Sequence, residues 1–433
     1  MQNYSQIQLH PKRMGTYPTR ARQNKCVIGH RNIIFAAAAK LLAAIVVLAG
    51  HGLTAESQDW ATATAANNHT VAVKTDGTLW AWGSNQYGKL GDGTKTNRNS
   101  PVQVGSSKDW KAVTAYDEYT VAIKKDGTLW AWGRNQHGQL GNGTKTDSSV
   151  PIQVGLAKNW AAVSTGGYHT VAIKTDGTLW AWGYNQSGQL GDGKFVPRDD
   201  DNDILAILTR PILSSSEPIQ VGSDKDWAAI SAGRTYTMAI KTNGTLWAWG
   251  DNEYGQLGDD SKISRGKPVQ VGSDKNWKAV SAGGGHTVAL KTDGTLWAWG
   301  SNYNYGGRDD NPRSPHGSQY KPFQVGSDKD WAAISDGTHT VAIKTNGTLW
   351  AWGGNKYGQL GDGSGTNKSQ PTQVGSAKNW KAASASGGHT VAIRTDGTAW
   401  AWGRNNYGQL GDGTIENKSV PIQVGAGSSD SNK

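Results

Sequence analysis

Seven copies of the sequence Trp-Ala-Trp-Gly run through the chain. They begin at Trp80, Trp130, Trp180, Trp247, Trp297, Trp350 and Trp400. Successive copies are 50, 50, 67, 50, 53 and 50 residues apart, and one further tryptophan precedes each pair, so the copies contain all 21 tryptophans. A copy of this length is too small to bury a core alone, whereas neighbouring copies can cover one another. The repetition therefore predicts an array of one small unit.

Each unit predicts four short strands. In the second unit, WKAVTA and YTVAIK are rich in β-formers, and Asp126-Gly127 is a two-residue hairpin signal before TLWAWG. The sequence Pro-x-Gln-Val-Gly, as at residues 101–105, precedes every unit but the first, and its proline suits an edge strand. Side chains alternate along a strand, so Trp130 and Trp132 should share one face. One unit thus supplies a four-stranded antiparallel sheet.

Seven such sheets bury both their faces when they stand around an axis. We therefore expect an all-β fold, a seven-bladed β-propeller, with the tryptophans as core residues rather than carbohydrate platforms. The first unit begins at Trp60 with no Pro-x-Gln-Val-Gly before it, and residues 421–425 carry that sequence with no unit after it. The expected ring is closed by pairing of the N- and C-terminal strands, with Ile422 beside the Trp60 strand.

The N-terminal segment is of another kind. Residues 1–55 contain seven Lys and Arg, no Asp or Glu, and an apolar run over residues 41–49. This layout is typical of a secretory signal peptide, and nine apolar residues fall short of the about 20 needed to span a bilayer. An uncleaved N-terminal anchor and, more weakly, a mitochondrial transit peptide are the alternatives. We expect the propeller at residues 56–425 and a disordered tail at residues 426–433.

The net charge depends on this leader. The whole chain carries +10, but seven of its 44 Lys and Arg precede Glu56, which leaves 37 against 34 Asp and Glu, a net charge of +3. A nucleic-acid partner would require a basic surface on the folded part, so none is expected. The single cysteine, Cys26, lies in the leader, which excludes disulfides and cysteine chemistry elsewhere. These features predict a monomer that is secreted or periplasmic, with membrane contact only if the leader is kept.

Within the units, Trp-Gly-x-Asn is followed by Gly-Gln-Leu-Gly, after an Asp-Gly turn and a His-Thr strand start. Gly-Gln-Leu-Gly begins at residues 138, 188, 255, 358 and 408, and Gly88-Lys89-Leu90-Gly91 is a near copy. The pattern, from Trp60 to Gly425, resembles the regulator of chromosome condensation repeat rather than WD or kelch repeats. The resemblance implies a seven-bladed propeller. It leaves function broad, because the founder exchanges nucleotide on a small GTPase and binds chromatin, whereas others are scaffolds or, in one secreted bacterial case, a β-lactamase inhibitor.

Candidate chemical sites are weak. Histidine opens the strand before the Asp-Gly or Asn-Gly turn in five units, at His69, His169, His286, His339 and His389, and Tyr119 and Tyr236 replace it in two. Imidazoles could hold a metal, but copies on separate blades favour a hydrogen bond within each blade. Asp199, Asp201 and Asp203 alternate as in a calcium loop, yet Ile204 and Arg210 break the EF-hand pattern. We expect no catalytic residues, no metal and no cofactor.

In an antiparallel blade, alternate connecting loops lie at the same end, and this strand parity predicts a binding face. The Asp-Gly and Asn-Gly turns, nearly identical in all units, should lie opposite the loops that differ between units, including the irregular stretches near residues 194–217 and 303–320. The expected partner is another protein, although drift in tolerant loops would produce the same variation. The alternatives are a nucleotide-exchange regulator of a small GTPase, which an exported protein would not meet, and a carbohydrate-binding propeller. The candidate partner-binding residues are Tyr184, Asp199, Asp201, Asp203, Arg234, Tyr303, Tyr305, Arg308 and Tyr320.

Overall fold

The computed structural model describes residues 59–195, 213–301 and 318–425. These segments contain 28 strands, numbered β1 to β28 in chain order, and one 3-10 turn at Gln86–Gly88. No helix among the described residues is long and apolar enough to cross a membrane. The predicted leader, residues 1–55, and the predicted tail, residues 426–433, lie outside the described residues.

Every blade has four strands in the same order along the chain. The first strands are Trp60–Ala65 (β1), Trp110–Tyr116 (β5), Trp160–Thr165 (β9), Trp227–Ala232 (β13), Trp277–Ala282 (β17), Trp331–Asp336 (β21) and Trp380–Ser386 (β25). The second strands are His69–Lys74 (β2), Tyr119–Lys124 (β6), His169–Lys174 (β10), Tyr236–Lys241 (β14), His286–Lys291 (β18), His339–Lys344 (β22) and His389–Arg394 (β26). The third strands are Leu79–Gly83 (β3), Leu129–Gly133 (β7), Leu179–Tyr184 (β11), Leu246–Gly250 (β15), Leu296–Gly300 (β19), Leu349–Gly353 (β23) and Ala399–Gly403 (β27). The fourth strands are Arg98–Gln103 (β4), Ser148–Gln153 (β8), Ser214–Gln220 (β12), Arg265–Gln270 (β16), Gln319–Gln324 (β20), Lys368–Gln373 (β24) and Lys418–Gln423 (β28).

The four strands of each blade pair with their chain neighbours, all antiparallel, which confirms the seven-bladed propeller of four-stranded blades. The first strands of adjacent blades contact one another in a closed cycle, so they surround the axis and the fourth strands lie outermost. The hairpin between the second and third strands is an Asp-Gly turn in five blades and an Asn-Gly turn in two. In the first blade Gly77 has φ 85°, which favours glycine, and Asp76 accepts hydrogen bonds from the amide and hydroxyl of Thr78.

The core consists of one hydrophobic cluster at each junction between blades. The first and third tryptophans of each blade are buried there, as Trp60 and Trp82 illustrate with ring centroids 5.7 Å apart. The second tryptophan, Trp80, is half-buried, and Lys74 lies over its ring at 4.4 Å. The tryptophans are therefore packing residues, as expected, and in each blade one cation lies over the rings of the first and second tryptophans, as Lys74 does over Trp60 and Trp80.

The predicted pairing of the C-terminal strand with the Trp60 strand, which would have completed the first blade, is wrong. β28 pairs with β27 in the seventh blade, with Gln423 opposite Trp400 and Ile422 opposite Ala401, and the first blade is complete over residues 60–103. A Pro-x-Gln-Val strand beside the Trp60 strand would lie at the axis, where the chain has small residues such as Ala61. Its bulky polar residues require the wider circumference of the outer edge, where its proline also needs no hydrogen-bond partner.

The ring is closed instead by the Gly-Gln-Leu-Gly loops, which connect the third and fourth strands. The carbonyl oxygen of each loop glutamine accepts the indole N–H of the third tryptophan in the next blade, as between Gln139 and Trp182 at 3.0 Å. The following glycine lies against the same indole, and a Cβ on Gly141 would stand 2.5 Å from its Nε1. The loop of the seventh blade makes this contact with Trp82 of the first blade.

Candidate functional site

The blade ends form two faces of different character. The repeated face carries the Asp-Gly turns and the inter-blade loops, which meet where the Trp110 amide donates to the Gly77 carbonyl at 3.1 Å. The variable face carries the loops between first and second strands and between third and fourth strands, joined where the Ser84 amide donates to the Asn68 carbonyl at 2.8 Å. The predicted sorting of loops by strand parity is therefore confirmed.

The histidines that open the second strands link neighbouring blades, not parts of one blade, so the expected local hydrogen bond is wrong. Nε2 of His389 lies 2.9 Å from the Thr70 hydroxyl, which itself donates to the Gln409 carbonyl, so the imidazole donates from Nε2. His69, His169 and His339 make the equivalent contacts with Thr120, Thr237 and Thr390. The physical reason is that the ring points across the junction toward the next second strand.

Burial keeps the imidazoles of His69, His339 and His389 neutral. It lowers the pKa of His389 to about 3, with a smaller contribution from the charge of Arg404. Burial likewise lowers the pKa of His339 to about 3, with His389 and His286 nearby. Within the described ranges, no group of three His, Cys, Asp or Glu side chains could hold a metal ion. The contacts of these histidines hold the blades together.

One junction uses a carboxylate in the same place. His286 Nε2 lies 2.5 Å from Oδ1 of buried Asp336, which also accepts the Thr340 hydroxyl at 2.8 Å. Thr340 corresponds to Thr70, whose hydroxyl donates to a loop carbonyl, but the preceding blade has neither Gly-Gln-Leu-Gly nor its near copy in its sequence. Asp336 thus supplies an acceptor at the junction where that sequence is missing.

Three of the nine predicted binding residues are described. Tyr184 ends β11, Arg234 is exposed on the loop between β13 and β14, and half-buried Tyr320 lies in β20 against Gly255. The Arg234 amide donates to the carbonyl of Gly283 in the next blade, which ties this loop into a chain of loops around the axis. The remaining predicted residues lie outside the described residues: Asp199, Asp201, Asp203, Tyr303, Tyr305 and Arg308.

Tyr184 belongs to a cluster that spans the first three blades. Its ring centroid is 4.8 Å from that of His137 and 6.4 Å from that of Tyr168. The guanidinium of Arg134 lies 4.8 Å from the Tyr87 ring and 5.9 Å from the Tyr168 ring. We name these five half-buried residues the aromatic–arginine cluster. Neither Arg234 nor Tyr320 is among the ring contacts of this cluster.

Charges at the cluster hold its members in place. Arg134 forms an ion pair with Glu118, which lies on the loop between β5 and β6, and it also donates to the Gln136 side chain. Burial, and then the charges of Arg134 and Lys145, lower the pKa of His137, so this ring is neutral at pH 7. The cluster therefore presents planar aromatic rings around one fixed cation.

A substitution in the first blade explains the position of Tyr87. In other blades the loop glutamine accepts the amide two residues before it, as between His137 and Gln139 at 2.9 Å. Lys89 replaces this glutamine and has no side-chain acceptor, and here the loop forms the 3-10 turn with Tyr87 at φ 65°. A bulky residue with this φ is strained, which is common at functional sites.

Lys89 is itself unusual. Its buried Nζ donates to the Asp117 carbonyl at 3.1 Å. Burial lowers its pKa to about 8, and the charges of Asp117 and Glu118 oppose this shift. In the sequence, Lys89 stands out only as a departure from Gly-Gln-Leu-Gly. The lysine itself was the available signal, because a lysine ammonium has no lone pair with which to accept the amide N–H that the glutamine side chain accepts.

A second arginine repeats the arrangement in the seventh blade. Arg404 occupies the position of Arg134, with its guanidinium 5.2 Å from the Tyr357 ring and 5.6 Å from the Tyr407 ring. Sequence reasoning also missed the aromatic residue that stands before the loop glycine in several blades. The signal is visible as Asn-x-Tyr-Gly or Asn-x-His-Gly, with the ring at Tyr87, His137, Tyr254, Tyr357 and Tyr407.

The fold and its loop contacts define a propeller whose blades are joined by repeated Gly-Gln-Leu-Gly loops. The sequence profile of the RCC1-like domain matches residues 206–432, more than half of the chain. Profiles of the regulator of chromosome condensation (RCC1) repeat match residues 76–123 and 126–173, and residues 110–139 and 160–189. The chain therefore belongs to the RCC1 repeat family.

Two relatives share part of this sequence. The ultraviolet-B receptor UVR8 of Arabidopsis thaliana is 30% identical over 147 residues, 34% of this chain and 33% of the receptor. The E3 ubiquitin-protein ligase HERC2 of Homo sapiens is 28% identical over 159 residues, 35% of this chain and 3% of the ligase. The matched region thus spans a third or less of each relative.

Two crystal structures share the fold. Human WBSCR16 superimposes with a TM-score of 0.68 at 20% identity, covering 80% of this chain and 93% of that one. Prp20p from Saccharomyces cerevisiae superimposes with a TM-score of 0.66 at 19% identity, covering 81% of this chain and 87% of that one. At these identities the likeness shows the fold alone.

Proposed function

We propose that the protein is an exported propeller that binds another protein through the variable face. The observation that carries this proposal is the aromatic–arginine cluster, where strained Tyr87 lies beneath the guanidinium of Arg134. Tyrosine and arginine are enriched among the residues that dominate protein–protein binding energy. Because neighbouring rings and Glu118 already hold Arg134, binding would immobilise few additional side chains, which favours affinity.

The contrast between the two faces supports the same assignment. Six of the seven junctions have Lys at the same position of the inter-blade loop, whereas the inner loops of the variable face differ from blade to blade. They present Asn67-Asn68, Asp117-Glu118, Gly167-Tyr168 and Arg234-Thr235 in turn. A rigid ring that presents different side chains on one face suits recognition of one particular surface.

Export is the second part of the proposal, and it rests on the leader sequence. Cleavage after residue 55 would place Glu56 at the new N-terminus and leave a chain with a net charge of +3. N-terminal sequencing of the protein recovered from the medium or periplasm tests this, and we expect a start at or near Glu56. A start at Met1 in membrane fractions would instead identify an anchor, and a start at Met1 in the cytosol would refute export.

Family membership favours one competing function, regulation of a small GTPase. The crystal structure of Prp20p is described with its binding properties to Gsp1p and histones, which are properties of that protein. In this chain the leader argues against a cytosolic GTPase as the partner. Acceleration of nucleotide release from a GTPase of the same cell, together with an uncleaved leader, would favour the competing function over the one proposed.

Affinity capture tests the proposed function. The immobilised protein is exposed to medium and envelope extracts, alongside a Tyr87→Ala, Arg134→Ala, Tyr168→Ala variant of the cluster. A matched control carries Lys158→Ala and Lys225→Ala at exposed positions of the repeated face. We expect one protein to be retained by wild type and control and lost from the cluster variant. Equal retention by all three proteins would contradict a role for the variable face.

A further inference from the structure

The repeated face has a cavity that the proposed function does not use. It has a volume of about 490 Å³ and lies among the first strands of the sixth, seventh and first blades. The part of its wall nearest the axis is apolar and small, with Ala332, Ala333, Ala382 and Ala383 on the first strands. This volume falls within the range of about 300–1,000 Å³ that is usual for small-molecule sites.

The charged residues that line this cavity are all lysines. Lys378 and Lys381 are exposed, and Lys344 is held by Asp328 at 2.7 Å and Asp330 at 3.0 Å from its Nζ. No aspartate or glutamate is among the described residues that line it. Lys344 is therefore neutralised within its own blade, and the cavity retains two cations without a carboxylate in its wall.

Comparison of the seven junctions shows that only the junction at this cavity has lysines without an aspartate at the neighbouring positions. Three positions on the repeated face can carry an acid: the first residue of the hairpin turn, and the residues one and three before the next blade's first tryptophan. Between the sixth and seventh blades these are Asn346, Asn379 and Ala377. Every other junction has an aspartate at one or more of these positions, as with Asp274, whose carboxylate pairs with Lys291 at 2.7 Å.

We propose that this cavity binds an amphiphilic anion, an apolar body that carries one carboxylate, sulfonate or phosphate group. The alanine-lined wall takes the apolar body, since burial of apolar surface is favourable without directional partners. The anionic group lies between Lys378 and Lys381, because charges near a protein surface attract one another more strongly than charges in bulk water. The amide side chains of Asn346 and Asn379 line the same cavity and offer neutral donors.

The probes separate the apolar from the anionic requirement. Protein produced from the full 433-residue sequence is titrated with 8-anilinonaphthalene-1-sulfonate by fluorescence, and with dodecanoate, dodecanol and inorganic phosphate by calorimetry. We expect the sulfonate and dodecanoate to bind at one shared site, and dodecanol and phosphate to bind at least about tenfold more weakly. Equal affinity for phosphate, equal affinity for dodecanol, or no binding of either amphiphilic anion would overturn the proposal.

Matched variants locate the site. Lys378→Gln with Lys381→Gln should weaken dodecanoate binding by about 10- to 100-fold, because two charge-assisted contacts are lost. The control is Lys275→Gln with Lys278→Gln, exposed lysines at the same positions of the fifth blade, and it should bind as wild type does. Equal weakening in both pairs would indicate general surface charge, and no weakening in the first pair would place the ligand elsewhere. Either result overturns the assignment.

A variant that keeps both lysines completes the test. Ala377→Asp with Asn379→Asp gives this junction the acids found between the fifth and sixth blades, where Asp328 and Asp330 hold Lys344. The added carboxylates should weaken dodecanoate binding by at least about tenfold, with the loss reduced at high salt. Unchanged affinity in a variant that melts as wild type does would show that the anion does not lie at this junction.

Discussion

The indole N–H of Trp82 donates to the carbonyl oxygen of Gln409, 3.0 Å away, although 327 residues separate them in the chain. The same contact joins Trp182 to Gln139 over 43 residues, at a junction within the chain. The ring therefore closes by repeating, between its last and first blades, the loop contact that joins other neighbours. Among the described strands, none is exchanged between the terminal blades.

The closing contact predicts a position-specific effect of one methyl group. Gly411 has φ 72°, and a Cβ there would stand 2.7 Å from Nε1 of Trp82. Gly411→Ala should lower the free energy of unfolding by about 2–4 kcal/mol, because it adds a collision with a buried ring to backbone strain. Chemical denaturation followed by tryptophan fluorescence measures the effect.

Gly105→Ala is the matched control for that prediction. Gly105 has a similar φ of 63°, but no atom lies within 4 Å of the position a Cβ would take. This change should lower stability only by the backbone term, about 1–2 kcal/mol. Equal losses in the two variants would mean that the loop does not press against Trp82, and the account of ring closure would fail.

Most of the fold can be predicted from the repeat alone. Three tryptophans per unit and an Asp-Gly turn between alternating segments specify seven antiparallel sheets, because only neighbouring copies can cover such faces. The partner of the Pro-x-Gln-Val strand could not be assigned in this way, since it stands between two units along the chain. The position of this strand depends on how much space the ring leaves for side chains. The outer edge has room for Arg98 or Lys418, whereas the axis has room only for small residues such as Ala61, and this difference exists only once the ring is assembled.

The candidate site was less accessible from sequence. Strand parity predicts correctly which loops share a face, and the predicted site includes Tyr184, but it does not include Tyr87 or Arg134. Their contact depends on a loop conformation that changes when Lys89 removes one side-chain acceptor. A repeat pattern describes what copies share, whereas this site arises from a single departure whose effect passes through the backbone to a neighbouring blade.

The buried histidines predict a dependence of stability on pH. Burial lowers the pKa of His389 to about 3, whereas an unfolded chain has about 6.5. Below pH 6.5 the unfolded state therefore binds a proton that the native state does not. The free energy of unfolding should fall by about 1.4 kcal/mol per pH unit for each such histidine between pH 6.5 and pH 3.

His389→Gln should remove the contribution of one titrating histidine to the pH dependence of the free energy of unfolding. The glutamine amide can still donate a hydrogen bond to Thr70. Denaturation at pH 7, 6 and 5 should show a slope below pH 6 that is smaller than that of wild type by about 1.4 kcal/mol per pH unit. An unchanged slope would mean that His389 binds a proton in the native state as readily as in the unfolded chain. That result would contradict a neutral imidazole at this junction.

Lys89→Gln should stabilise the protein and weaken its binding. Glutamine restores the acceptor for the Tyr87 amide and removes a buried ammonium whose pKa lies at about 8, well below the ordinary value. Native Lys89 binds its proton less tightly than the unfolded chain does. Keeping Lys89 protonated in the native state at neutral pH therefore lowers the free energy of unfolding by about 1–3 kcal/mol, and this cost disappears above about pH 10, where the unfolded chain also loses the proton. We expect a gain of that size at pH 7.

The structural consequence of Lys89→Gln can be measured separately. A crystal structure of the variant should show Tyr87 at negative φ, with its amide bonded to the new glutamine as His137 is bonded to Gln139. Gln139→Lys is the converse change and should destabilise the second blade. If Tyr87 keeps φ near 65° in the Lys89→Gln variant, the lysine does not cause the strained turn and the origin proposed for the cluster is wrong.

The most direct test of the central claim compares the two faces against one captured partner. Dissociation constants are measured for wild type, for the variant with Tyr87→Ala, Arg134→Ala and Tyr168→Ala, and for a control with Lys158→Ala, Lys225→Ala and Lys275→Ala on the repeated face. The cluster variant should bind at least about 30-fold more weakly, roughly 2 kcal/mol, and the control should bind as wild type does. Wild-type affinity in a folded cluster variant, or loss of binding only in the control, would contradict recognition through the variable face.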